Sequence, residues 1–150
     1  MDASIKIYTD GGCSGNPGKG GWAYVIIRQT PLGEEIIRKQ QGAEKNTTNN
    51  RMELTAVIEA LRALKTIEQH QAVLYTDSQY VQKGIGEWIH NWKRNSWRTS
   101  DKKPVKNQDL WMELDSLAAD LSISWEWVKG HAGNKYNEMC DSMTQAAIGG

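Results

Sequence analysis

The 150-residue chain contains no phenylalanine; its aromatic residues are seven tryptophans and five tyrosines. Two cysteines, Cys13 and Cys140, are too few for a disulfide framework. No stretch approaches the roughly 18 consecutive apolar residues of a membrane-spanning helix. The opening residues, MDASIKIYTD, lack the apolar core of a secretory signal. With neither export signal nor span, the expected location is the cytoplasm, with reduced thiols. Net charge is absent too, since 18 basic residues balance 18 acidic ones. As a sum, that argues against a general polyanion binder, but distribution matters more. From Gln82 to Lys106 there are seven basic and two acidic residues, a local charge of about +5. The same stretch holds Trp88, Trp92 and Trp97.

What remains is ordinary for one domain: the chain is 39% hydrophobic and 24% charged, without repeats, linker or low-complexity tract. Residues 1–150 are expected to form a single domain with a basic protrusion at about 82–106. In IKIYTD, Ile5, Ile7 and Thr9 alternate with Lys6, Tyr8 and Asp10, a period-2 strand ending at Asp10. The glycine-rich GGCSGNPGKGG reads as a loop, with Pro17 to Gly21 turning the chain into a second strand, WAYVIIRQ. TPLGEE is a turn, and EEIIRKQQG a third strand. The period then changes: Leu54, Val57, Ile58, Leu61 and Leu64 fall on one face of a helix, N-capped by Thr48 or Asn49. AVLYTD is a buried strand ending in Asp77, and SQYVQKGIGEWIHNW a helix with possible breaks at Gly84 and Gly86. The segment to Lys106 has no period and reads as a loop. NQDLWMELDSLAADL predicts a helix, SISWEWVKG a fifth strand, and HAGNKYNEMCDSMTQAAI a loop entering a last helix. Antiparallel strands followed by strands alternating with helices predict an α/β fold, a mixed sheet with helices on its faces.

Asp10 and Asp77 end strands, Glu53 lies near one helix start, and Asp141 lies near another. If the first and fourth strands are neighbours, Asp10 and Asp77 meet at a sheet end, where open α/β sheets bind ligands. Carboxylates grouped without cysteine or histidine suit Mg²⁺ or Mn²⁺, and without metal one of them should hold a proton. Aspartates at strand ends also serve turns and caps, so position alone leaves both roles open. The glycine-rich segment lacks the lysine and the serine or threonine of a phosphate-binding P-loop. Neither cysteine has the surroundings of a nucleophile, and packing or backbone contact is the expected role of both.

YTDGGCSGNPGKGGWA, TTNNRMELTAVIEAL, LYTDSQYV, WIHNWKRNSW, KKPVKNQDLW and WEWVKGHAGNKYNEMCD, in this order, resemble bacterial ribonuclease H of type 1 from Ile5 to about Ala147. The resemblance implies a five-stranded mixed sheet of order 3-2-1-4-5. It implies hydrolysis of the RNA strand of RNA–DNA hybrids, leaving 5′-phosphate and 3′-hydroxyl ends. It assigns the metal site to Asp10, Glu53, Asp77 and Asp141, with two Mg²⁺ ions bound alongside substrate and Mn²⁺ as a substitute. His131 resembles the family's mobile histidine, which assists proton transfer or product release. An imidazole pKa near ~6.5 suits a shuttle.

The same resemblance places Gly11, Cys13, Gly15, Asn16, Asn49 and Gln79 along the minor groove, where the 2′-hydroxyl distinguishes RNA from DNA. Thr48 and Asn16 resemble a pocket for a DNA phosphate, with Thr48 at a helix N-terminus suited to anions. Lys93, Arg94, Arg98, Lys102 and Lys103 can neutralise phosphates, and Trp88 can lie against a deoxyribose. Trp92 and Trp97 are expected to pack within the protrusion, and Trp111, Trp125 and Trp127 in the core or on strand faces. The expected partners are the hybrid substrate and a single-strand-binding protein, and the chain is expected to act as a free-standing monomer. Other readings are a DNA-cutting nuclease of the same fold, the ribonuclease domain of a reverse transcriptase, and a non-catalytic hybrid-binding module. The four acids argue against the last, and the absence of room for further DNA-binding domains against the first.

Overall fold

A computed structural model describes residues 4–128 and 134–149. Its strands are β1 (Ser4–Gly15), β2 (Gly18–Thr30), β3 (Gly33–Thr47), β4 (Gln71–Thr76) and β5 (Ser122–Trp127). They form one sheet of order β3-β2-β1-β4-β5, as the resemblance implies. β1–β2 and β2–β3 are antiparallel, whereas β1–β4 and β4–β5 are parallel. The helices are α1 (Asn49–Thr66), α2 (Gln79–Lys83), α3 (Ile89–Arg94), α4 (Gln108–Ala119) and α5 (Lys135–Gly149). Among the described residues no helix is long and apolar enough to cross a membrane.

Period-2 alternation divides the core. Ile5, Ile7, Tyr24 and Ile26 pack with α1, Trp111 and Leu114 in one cluster. Tyr8, Val25 and Ile27 pack with Tyr136 and Cys140 of α5 in a second. Helices therefore cover both sheet faces. Thr48 caps α1, its hydroxyl oxygen accepting from the Arg51 amide at 3.2 Å. α1 buries Met52, Leu54, Val57, Ile58, Leu61 and Leu64, and alanines at 56, 60 and 63 bring it close to the sheet.

The glycine-rich segment is not a loop. β1 and β2 stay paired from Ser4↔Gln29 to Gly15↔Gly18, so only Asn16 and Pro17 turn the chain, and Asp10 lies inside β1 rather than at its end. The expected turn over Pro17 to Gly21 is thereby corrected, because extended backbone there completes the ladder with β1. The expected breaks at Gly84 and Gly86 also do not occur: a π-helical turn, Gly84–Trp88, joins α2 to α3. Gly84 is bare because a Cβ there would lie 2.0 Å from Cη2 of Trp111.

Trp111 is fully buried. Trp92 packs on its ring at 5.5 Å, so Trp92 belongs to the core as well as to the protrusion. Trp97 packs on Trp92 at 6.2 Å. Trp127, on the edge strand β5, is 40% exposed. The protrusion beyond α3 turns through three left-handed residues, Ser96, Trp97 and Lys102, and closes at an Arg98–Pro104 bridge. Ser96 is exposed with φ 57°. The left-handed penalty of roughly 1–2 kcal/mol exceeds the ~0.5–1 kcal/mol of extra unfolded-chain entropy that glycine brings. Ser96→Gly should therefore stabilise by about 0.5–1 kcal/mol, read as a rise of about 1–4 °C in melting temperature; a fall would show that the loop is not strained there.

Both cysteines are free. The Cys13 thiol donates to the Thr47 carbonyl and the Cys140 thiol to the Tyr8 carbonyl, each at 3.3 Å. Burial pushes the Cys140 thiol far above its usual range, which makes it inert.

Candidate active site

The parallel pairing of β1 with β4 runs Lys6↔Val73, Ile7↔Leu74 and Tyr8↔Tyr75, and Tyr8 stacks on Tyr75 at 4.9 Å between centroids. Two residues past this last pair stand Asp10, still within β1, and Asp77, the residue after β4. The register thus sets both at one level of the sheet, just where the ladder ends. β1 carries on beyond β4 because it still pairs with β2, which keeps Asp10 on rigid backbone.

α1 brings the third acid. Gly11 of β1 touches the helix backbone so closely that a Cβ would lie 2.4 Å from the Met52 carbonyl carbon and 2.5 Å from the Glu53 nitrogen. Glu53 is consequently buried against β1 in the first turns of α1. Asp10, Glu53 and Asp77 each offer an oxygen within 4.8 Å of the others. They line a cleft of about 550 Å³. Asp141, from α5, lines the same cleft but is not part of that close trio. α5 is docked by Thr144, whose hydroxyl donates to the Asp10 carbonyl at 3.4 Å.

The Glu53 carboxyl is pushed well above the ordinary range, first by burial and then by Asp10 and Asp77; the Gly11 amide and the Ser78 hydroxyl oppose the shift by hydrogen bonding to it. Ser78 also accepts from the Val81 amide at 3.2 Å, so one hydroxyl caps α2 and steadies Glu53. Sequence reasoning missed Ser78; its position after Asp77, at the start of a helix, was the available signal. This donor set contains oxygen alone and concentrates negative charge in a buried place. It fits a hard divalent cation, which would offset the burial and the repulsion that raise the Glu53 carboxyl.

Of the residues assigned to substrate, Gly11, Cys13 and Asn49 line the cleft, joined by Gly12, Ser14, Gln145 and Ile148, which sequence reasoning did not single out. Gly15, Asn16, Thr48, Gln79, Trp88, Lys93, Arg94 and Arg98 lie outside its lining. Asn16 still reaches α1: its side-chain oxygen accepts from the Asn49 amide at 3.2 Å. Lys93 pairs with Asp115 at 3.4 Å, Arg94 bonds Asn91, and Arg98 donates to the Lys102 carbonyl at 3.5 Å. Exposed contacts of this kind are weak. Trp88 meets Tyr80 edge-on at 5.7 Å. His131 lies outside the described residues.

The chain matches the RNase H family over residues 2–149. It is 53% identical to a ribonuclease H of Treponema denticola, covering 96% of each chain. It is 54% identical to a ribonuclease H of Cupriavidus necator, covering 96% of this chain and 94% of that one. Among solved structures it is similar to LC9-RNase H1, a type 1 RNase H with the type 2 active-site motif, with 34% identity and a TM-score of 0.85 over 97% of this chain and 72% of the other.

Proposed function

The chain belongs to the RNase H family, metal-dependent enzymes that hydrolyse the RNA strand of RNA–DNA hybrids, and from that premise we propose that Asp10, Glu53, Asp77 and Asp141 hold two Mg²⁺ ions for the reaction. The oxygen trio within 4.8 Å carries this reading. Such ions, when bound, supply an activated water and neutralise the leaving 3′ oxygen. The chain supplies the geometry. β1 and β4 fix Asp10 and Asp77 by their register. Gly11 and Ser78 orient the Glu53 carboxylate through an N–H and an O–H. Asp141 lines the same cleft from α5. His131, by its resemblance to the family's mobile histidine, assists proton transfer or product release. The expected ends are 5′-phosphate and 3′-hydroxyl.

Hybrid recognition follows from the cleft's rim. Cys13, Asn49 and the backbone of Gly11 reach a minor groove and contact sugar and backbone, which makes cleavage nearly independent of sequence. Gly15 and Gln79 extend that contact. Asn16 and Thr48, both bonded to amides at the start of α1, keep an NH₂ group and a hydroxyl hydrogen to donate to a DNA phosphate. Labelled hybrid, duplex RNA and duplex DNA, each with and without Mg²⁺, test the reading. Cleavage of the hybrid alone, with Mg²⁺ only, is expected. An intact hybrid would end the enzymatic reading, and a cut DNA duplex would favour a related DNA nuclease.

Lys93, Arg94 and Arg98, with Trp88, form the second anchor. Neutralising the three cations should raise KM by about tenfold at moderate salt and lower the slope of log KM against log salt by about one per lost phosphate contact, with kcat nearly unchanged. Steady-state kinetics over a salt series measure both; an unmoved KM removes the anchor.

A further inference from the structure

α5 meets the sheet along one stripe and the cleft along the next. Tyr136, Cys140 and Thr144 recur every four residues and are buried against β1. The Tyr136 ring packs on Tyr8 at 5.3 Å between centroids. The Cys140 thiol donates to the Tyr8 carbonyl and the Thr144 hydroxyl to the Asp10 carbonyl. One residue on, about 100° round the helix, Asp141 and Gln145 line the cleft, with Ile148 beyond them. The sheet is bare where the helix lies. A Cβ on Gly21 would lie 2.9 Å from the Thr144 carbonyl oxygen and 3.1 Å from the Ala147 Cβ, and one on Gly12 would meet the Thr144 methyl at 3.6 Å. Thr144 is fully buried, and its hydroxyl departs from the habit of helical threonines. These commonly return the hydroxyl to the carbonyl four residues back, as Thr55 does to Arg51 and Thr66 to Arg62 in α1, at 2.7 and 3.0 Å. A hydroxyl has one hydrogen to donate, and Thr144 gives its own to the main chain of the residue whose carboxylate joins the trio.

We propose that Thr144 is a positioning residue that ties α5 to the main chain of Asp10, so that the rotation of the helix, and with it the place of Asp141 relative to the Asp10 carboxylate, is set by β1 itself. The proposal rests on reading Asp141 as a metal-holding acid together with Asp10, Glu53 and Asp77. Apolar packing is non-directional, whereas a hydrogen bond fixes both distance and angle. The Tyr136 ring secures the start of the docking stripe, and the Thr144 hydroxyl fixes its far end, one turn beyond Asp141. Thr144 acts only through Asp141.

Thr144→Val keeps the shape of the side chain and deletes the donor, whereas Thr144→Ser keeps the donor and deletes the methyl. In the metal-free protein, hydrogen exchange of the α5 amides around Asp141 should quicken about fivefold in Thr144→Val, the equivalent of one hydrogen bond, and far less in Thr144→Ser. With hybrid, Thr144→Val should lower kcat about tenfold and raise the half-saturating Mg²⁺ concentration about fivefold, leaving KM for the hybrid unchanged. Thr144→Ser should restore both constants to near the parent's. Ile27→Val, a mild change in the same core cluster, controls for lost stability and should move neither. Thr144→Val added to Asp141→Asn should have no further effect on kcat. Unchanged constants in Thr144→Val, the same losses in Ile27→Val, or a full further loss on top of Asp141→Asn overturns the positioning role while the metal site stands. If Asp141→Asn alone leaves kcat and the Mg²⁺ dependence unmoved, the reading of Asp141 as a metal-holding acid has failed and the positioning role falls with it.

Discussion

Asp10→Asn is expected to reduce hybrid cleavage about 10³-fold or more at saturating Mg²⁺, while the metal-free protein melts at a higher temperature than the parent. The activity loss follows from the trio. A carboxamide would offer a bound divalent cation a neutral oxygen in place of a negative one, and several kcal/mol of charge stabilisation would go with it, about tenfold in rate for each ~1.4 kcal/mol. The stability gain has the opposite electrostatic origin. Glu53 sits buried beside Asp10 and Asp77, and burial first, then those two neighbours, push its pKa well above the ordinary carboxylate range. Its folded pKa is raised, so its contribution to stability is complete below the unfolded value of about 4.3 and is lost as pH rises through the folded value. The metal-free parent should therefore lose stability with rising pH across that window. Asp10→Asn removes one source of repulsion, flattens that slope and adds about 1 kcal/mol near neutrality. Mg²⁺ should stabilise the parent and have little effect on the variant. Melting curves with and without Mg²⁺ across the acid-to-neutral range measure all of this. A metal-free variant that melts below the parent, or one that still cleaves, contradicts the account.

Gly11→Ala should damage both the fold and the site. The added Cβ would lie 2.4 to 2.6 Å from the Met52 carbonyl carbon and oxygen and the Glu53 nitrogen. These are backbone atoms, which cannot rotate away as a side chain could. β1 and α1 must part, at about 3 kcal/mol or more, or roughly 6–12 °C in melting temperature. Asp10 and Glu53 ride on the two elements that separate, so activity measured well below the melting point should also fall, by about 100-fold for a displacement near 1 Å. Gly86→Ala is the contrast. Nothing lies within 4 Å of a Cβ there, and alanine is the better helix former by up to ~1 kcal/mol, so that variant should melt at or above the parent and keep its activity. If Gly11→Ala keeps both stability and rate, the smallness of Gly11 serves a bound strand alone.

Gly11 marks the limit of what the chain discloses by itself. From the sequence its smallness suits approach to a nucleic acid backbone, but the nearest backbone is the protein's own α1. The glycine-rich run shows the same limit. Read locally it is a loop, and a partner strand makes it a ladder, because glycine adopts extended backbone as readily as a turn. Gly84 resembled a helix break and proved to be the space left for the Trp111 ring. In each case the deciding atom belongs to a residue distant in sequence. The same holds for Ser78 against Glu53.

The sequence alone determined the strands, the helices and the family, since alternation at period 2, the apolar stripe of α1 and six ordered motifs are written in near neighbours. It also supplied the acids, although it set Asp10 at a strand end rather than inside β1. Only the tertiary structure decided that Asp10, Glu53 and Asp77 share one point, with Asp141 across the cleft from them. That convergence depends on the parallel register of β1 with β4 and on the contact of Gly11 with α1. Both are long-range pairings, fixed by packing between surfaces whose complementarity no local window of residues contains.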